Sequence, residues 1–233
     1  MRQVLSKPER WRIYRVRIII EMDKLGVSSI GLVVLLSIFM GAVICLQTAT
    51  NLDNPLVPMS LVGYATRESI ILELAPTMLS LILAGKVGSS IASELGTMRV
   101  TEQIDALDIM GVNSASYLIL PKLISALIFF PFLIIISMCL GIFGGYLVSA
   151  GTGILDLQDY MDGIHMEFKV FHIYYALIKT LFFAAIITTV SAYYGYTVRG
   201  GSLAVGKNST KGVVGSSILI LIFNYLLTQI LLI

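Results

Sequence analysis

The sequence predicts an all-α integral membrane protein, with an N-terminal interfacial helix, five membrane spans and a short amphipathic helix between the second and third. Three observations carry this. First, only 13% of the 233 residues are charged and 57% are hydrophobic, whereas soluble domains carry about 25% charge. Such a chain cannot cover a globular surface with polar groups, so most of its exterior must face lipid. Second, five apolar stretches each reach the roughly 20 residues that a helix needs to cross a bilayer. Third, the polar segments between them alternate in cation content, as the positive-inside rule requires of a multi-pass protein.

The elements follow in order. Ser6-Lys7-Pro8-Glu9 has the form of a capping box with proline in the first turn, so a helix over 6–26 is expected there. On it Trp11, Tyr14, Ile18, Met22 and Leu25 recur every three or four residues. Arg10, Arg12, Arg17 and Lys24 lie mostly off that stripe, with Arg15 flanking it. The pattern suits a helix lying among lipid headgroups, and a solvated basic tail is the alternative. The first apolar run begins after Lys24, is membrane-length and lacks a small-residue cleavage site, so it is expected to be a retained span. The spans are placed at 30–48, 69–87, 116–149, 171–193 and 213–233. The third exceeds the length of one crossing. Pro121 and Pro131 would kink it, and Gly141-x-x-x-Gly145 offers a close-packing face. One long span is expected, with two short ones as the alternative. Residues 151–169 form an acidic polar loop, and 199–211 a Gly/Ser-rich basic one.

Cations set the orientation. Arg2, Lys7, Arg10, Arg12, Arg15, Arg17 and Lys24 precede the first span. Lys86, Arg99 and Lys122 surround the connection after the second, and Arg199, Lys207 and Lys211 precede the fifth. The other two connections hold only Arg67 and Lys169. With five spans the N-terminus is cytoplasmic and the C-terminus lies across the membrane.

The connection between the second and third spans is the most orderly polar stretch, AGKVGSSIASELGTMRVTEQIDALDIMG, from Ala84 to Gly111. As a helix from Thr101, its acids Glu102, Asp105 and Asp108 fall on one arc, and Ile104, Leu107 and Met110 on the opposite one. Gly111 supplies the stop. A helix of this kind lies flat at the membrane and presents a face to a soluble partner. The strings AGKVGSS and ELGTMRVTEQIDAL, then MGV with Pro121 beyond, resemble the signature of the MlaE family. Those proteins are permease subunits of ABC transporters that move lipids together with MCE-domain proteins. Weaker similarity extends from SKPE near the start to NSTKGVVGSS before the last span.

The resemblance implies that 94–111 is a cytoplasmic coupling segment docking on an ABC ATPase, through Glu94, Arg99, Glu102, Gln103, Asp105 and Asp108. It implies a homodimer in the bacterial inner membrane, working with an MCE-type lipid carrier and supporting outer-membrane lipid homeostasis. Phospholipid would occupy a cavity between the two copies. ATP and magnesium would be bound by the partner, and this chain would hold no cofactor of its own.

Two ionisable residues fall within spans, Glu73 and Lys179. A charge at membrane depth is disfavoured by roughly 3 kcal/mol or more unless it is paired or wet. Both lie several residues past the outer end of their spans, so at about 1.5 Å per residue they reach similar depth. They are expected to approach each other or to line one wet cavity; snorkelling to the interface is the alternative. An acid ahead of Pro76 and a lysine in the fourth span are also MlaE-like. Leu72 departs from the polar residue that family members often place before the acid. Gln47, at the outer end of the first span, either faces the same cavity or bonds a neighbouring helix. Ile44 and Tyr64 are cavity candidates by family position.

Other chemistries find little support. Gly85-Lys86 lacks the spacing and the preceding strand of a phosphate loop. His165 and His172 lie near Asp162 and Glu167 without the convergence a metal site needs. Cys45 and Cys139 sit in apolar runs as small hydrophobes. No catalytic constellation is spaced for reaction, and a net charge of +2 with no basic–aromatic block argues against nucleic acid. The rival readings are an ion-coupled secondary transporter and a membrane-embedded lipid-modifying enzyme. The first is weakened by the lack of an internal repeat.

Overall fold

The computed structural model describes residues 11–52 and 58–232. The Ser6–Glu9 start signal and the turn residues 53–55 lie outside them, as does the side chain of Trp11. The described residues form α1 (Trp11–Glu21), α2 (Ser28–Asn51), α3 (Ser60–Ser69), α4 (Leu79–Leu83), α5 (Ser89–Val100), α6 (Gln103–Ile109), α7 (Ser114–Thr152), α8 (Leu157–His165), α9 (Val170–Tyr196) and α10 (Ser202–Leu232). Wide π-helical turns at Met22–Val27, Ile70–Met78 and Ala84–Gly88 join α1 to α2, α3 to α4, and α4 to α5. The result is five helical runs long and apolar enough to cross a membrane: Tyr14–Asn51, Ser60–Val100, Ser114–Thr152, Val170–Tyr196 and Ser202–Leu232. This is the architecture of an all-α integral membrane protein.

Four details differ from the expected elements. The N-terminal helix is continuous with the first span through its π turn, and its apolar stripe turns inward: Tyr14 and Leu25 are buried, while Val16, Ile19 and Ile20 are exposed. The polar stretch after Ala84 stays helical to Val100. The basic segment is helical from Ser202, and the acidic loop contains α8, whose N-terminus is capped by Asp156 accepting from the Gln158 N–H at 3.3 Å. Residues 116–149, by contrast, lie as expected within one continuous helix of 39 residues that keeps both prolines. Backbone groups in hydrocarbon have no partner but the helix itself, which is why two prolines do not end it.

The backbone divides into two compact units, one drawn from Met1–Ser29, Ser80–Pro131 and Leu181–Ile233, the other from Ile30–Leu79 and Phe132–Thr180. In the second, α2 and α7 meet through glycine. A methyl group on Gly41 would collide with the Gly141 carbonyl, and one on Gly144 with the Ile38 carbonyl. Ser37 donates to Ser137 at 2.8 Å beside this seam. Gly63 and Gly163 let α3 and α8 touch, and the buried Tyr160 hydroxyl stands over Gly145 and donates to the Ile142 carbonyl at 2.9 Å. The Gly141-x-x-x-Gly145 pair is therefore a close-packing face.

In the first unit, α5 and the π turn before it pack on α9 and α10 through Gly88, Ala92 and Gly96 against Ser191, Gly195, Val205 and Gly212. The N-terminal helix lies on α7. The Tyr14 and Ser116 hydroxyls are 3.3 Å apart, Arg17 stacks 3.8 Å above the Tyr117 ring, Ser125 donates to the Ile18 carbonyl, and Gly26 faces the Phe129 ring.

Candidate functional site

The second unit brings Glu73 and Lys179 together. The Lys179 ammonium is fully buried and donates to Glu73 Oε2 at 2.8 Å, to the Tyr175 hydroxyl at 3.0 Å and to the Leu72 carbonyl at 3.4 Å. The glutamate side chain is 48% exposed. Local sequence explains the arrangement. Pro76 has no N–H to return to the Leu72 carbonyl, four residues before it. The Ile70–Met78 turn widens around that proline, and the Leu72 carbonyl faces Lys179. Tyr175 and Lys179 are four apart on α9 and so share a face. The pair is thus a desolvated cation whose counter-ion reaches the surface.

Gln47 is exposed, and Ile44 and Tyr64 are half-buried. A void lined by Ser37, Met40, Gly41, Ile70, Leu74, Ala75, Ser137 and Gly141 is of water size, about 10 Å³, and is walled by neither Glu73 nor Lys179.

The elbow between the second and third runs lies in the first unit. Thr101 and Glu102 form the bend, with Glu102 in the left-handed region at φ 59°, and α6 begins at Gln103 rather than Thr101. Of the expected apolar arc, Ile104 is buried, Leu107 is half-buried and Met110 is 69% exposed beside Ile109 at 87%. The acids divide likewise. Asp105 binds Arg99 at 2.5 Å, and Asp108 accepts from the Ser114 N–H at 3.4 Å, at the start of α7. Glu102 and Gln103 are exposed. Gly111, at φ 78°, ends the helix. A groove of about 290 Å³ runs between Arg17, Met98, Gln103, Leu107, Met110 and Tyr117.

Two charged groups were not foreseen. Arg67, expected in a loop, is 1% exposed on α3. It donates to the carbonyls of Ile164 and Met166 at 2.6 and 2.8 Å and to Glu68 at 2.6 Å. His172 Nδ1 lies 2.6 Å from the other Glu68 oxygen but out of line for a hydrogen bond, so the contact is ionic when the imidazole is protonated. His165 Nδ1 meets the Met161 carbonyl instead. The second group is centred on Lys122, 2% exposed, which binds Glu21 at 2.6 Å and Glu94 at 3.0 Å. Glu94 also takes Lys24 at 2.6 Å. The only signal for either group was a cation placed where the chain is too apolar to solvate it.

A family model described as Permease MlaE matches residues 18–230. A probable ABC transporter permease protein of Rickettsia bellii is 38% identical over 218 residues, 94% of this chain and 84% of its own. The intermembrane phospholipid transport system permease protein MlaE of Haemophilus influenzae is 30% identical over 212 residues, 91% and 81% of the two chains. The chloroplastic protein TRIGALACTOSYLDIACYLGLYCEROL 1 of Arabidopsis thaliana is 30% identical over 227 residues, 97% and 65%.

Proposed function

Because this chain belongs to the MlaE permease family, and is by that membership an ABC-type transport subunit rather than an enzyme, we propose that it moves phospholipid between a bacterial inner membrane and an MCE-type carrier. Two copies would form the membrane part, each engaging an ABC ATPase through the elbow, with the N-terminus cytoplasmic. The observation that carries the lipid reading is the buried Lys179 ammonium beside the half-exposed Glu73 carboxylate. A charge at membrane depth needs a partner or a wet pathway, and an ammonium held this way suits the phosphate of a headgroup. Acyl chains would line apolar walls to which Ile44 and Tyr64 contribute, with the polar Gln47 beside them.

At the elbow, Asp105 and Asp108 are committed to Arg99 and Ser114. Both acids keep exposed surface, so docking on the ATPase is assigned to Glu102, Gln103, Asp105 and Asp108 with the exposed Ile109 and Met110 beside them, and Glu94 and Arg99 hold the segment in place. Closure of the ATPases would push the elbow, and that push would open or collapse the lipid cavity.

The test is ATP-driven lipid transfer from proteoliposomes holding the complete complex. Glu73→Gln and Lys179→Met are expected to lower transfer at least tenfold at unchanged protein level. Wild-type transfer in both would remove the pathway, and transfer without ATP but with a proton or sodium gradient would favour a secondary transporter.

A further inference from the structure

The four charges around Lys122 join three segments that are distant in sequence: Glu21 and Lys24 on the N-terminal helix and its π turn, Glu94 on α5, and Lys122 on α7. The N-terminal helix and α7 are already held together by Tyr14, Arg17, Ile18 and Gly26. Helix α5 is the stem of the elbow, and Glu94 lies on it two turns before the bend at Thr101–Glu102. The stem thus receives two ammonium groups on one carboxylate, one from each member of a pre-assembled pair.

The cluster is not arranged for stability alone. Two carboxylates meet two ammonium groups, yet Glu21 Oε2 is buried with no hydrogen-bond partner among the described residues. A charge cluster built on a buried cation contributes little net stability against an apolar replacement; its attested use is to fix one register among several. Apolar packing on a membrane helix leaves rotation and sliding comparatively soft, whereas a buried ammonium held by two carboxylates has a single satisfied geometry.

We propose that Lys122, with Glu21, Glu94 and Lys24, is a positioning cluster that locks the stem of the elbow to the N-terminal helix and α7, so that a push on the elbow moves the three as one body. The transmission half of this rests on the elbow being the driven element, as proposed above. The locking half does not.

Spin labels on Ile19→Cys and Thr101→Cys, both exposed, in a background with Cys45 and Cys139 replaced by alanine, report the distance between the N-terminal helix and the bend in the full complex. The locked arrangement gives one narrow distribution. Glu94→Gln leaves the Lys122–Glu21 contact in place and removes the tie to the stem, so the distribution is expected to broaden or split. Lys122→Met is expected to do the same. Glu73→Gln, outside the cluster, is expected to leave it unchanged. A distribution in Glu94→Gln as narrow as the wild type's overturns the lock. In the same preparations, lipid moved per ATP hydrolysed is expected to fall about tenfold, within the usual range of coupling effects, while ATP hydrolysis continues. A broadened distribution with wild-type lipid per ATP overturns transmission. An absence of ATP-dependent transfer in the wild type would count against the transporter reading instead, leaving the distance measurement to decide the lock.

Discussion

Exchanging either member of the Glu73–Lys179 pair removes the same salt bridge, but the two changes should differ in stability. The ammonium is fully buried and the carboxylate 48% exposed, 2.8 Å apart. At that separation the attraction is about 6 kcal/mol for an effective permittivity near 20 and about 1.5 kcal/mol in water. Half exposure of the glutamate places the working value toward the lower end, about 2–3 kcal/mol. Glu73→Gln leaves a buried cation facing the Tyr175 hydroxyl and the Leu72 carbonyl, and should forfeit most of that. Lys179→Met removes the buried charge itself, keeps the apolar stem, and leaves a carboxylate that water reaches, so its loss should stay under about 1 kcal/mol. At about 2–4 °C per kcal/mol for a chain of this length, Glu73→Gln should melt roughly 5–10 °C below wild type and Lys179→Met within about 3 °C. The double variant should melt near Lys179→Met, not at the sum. Melting in lipid nanodiscs, followed by native tryptophan and tyrosine fluorescence, reads all three. A Lys179→Met protein that melts as low as Glu73→Gln would mean that burial of the cation is not what the glutamate offsets.

Gly41→Ala drives a methyl group into the Gly141 carbonyl and should destabilise by about 1–3 kcal/mol or more, seen as a melting point several degrees lower; an unchanged value would contradict the seam. Arg67→Met strands the Ile164 and Met166 carbonyls and Glu68, at about 3 kcal/mol, and should speed tryptic cleavage at Lys169 severalfold; an unchanged rate would show that Arg67 does not hold that loop. Glu102→Arg, at an exposed position of the bend, should reduce co-purification of the ATPase with little change in melting, and a full complement of ATPase would move docking elsewhere.

What could be seen in the sequence follows from what each signal measures. The five crossings were visible because length and apolarity are what a bilayer selects. The meeting of Glu73 and Lys179 was visible because charge at membrane depth needs an answer, and the two were equally deep. The N-terminal stripe was recognised but assigned to the wrong cover. Periodicity shows which face is apolar, not whether lipid or Ser116, Tyr117 and Phe129 lie against it. Lys122 was counted as an orientation marker, since its partners Glu21 and Glu94 are 101 and 28 residues away and no local rule connects them. The elbow acids share an arc on paper, yet Glu102 sits in the bend while Asp105 and Asp108 turn to Arg99 and Ser114, which spacing alone does not disclose. The sites' functional roles rest on the family and on the experiments above.

Among the described residues three wide turns interrupt otherwise regular winding, and one contains Glu73 with Pro76 while another ends two residues short of Ser29, the residue before the first span enters its apolar stretch. Each stores roughly one surplus residue relative to ordinary α-helix. Should that surplus migrate along the helix, every side chain it passes would swing by about 100°. At Ile70–Met78 that swing is blocked, because Pro76 has no N–H with which to close an ordinary turn, so Glu73 keeps one facing toward its lysine.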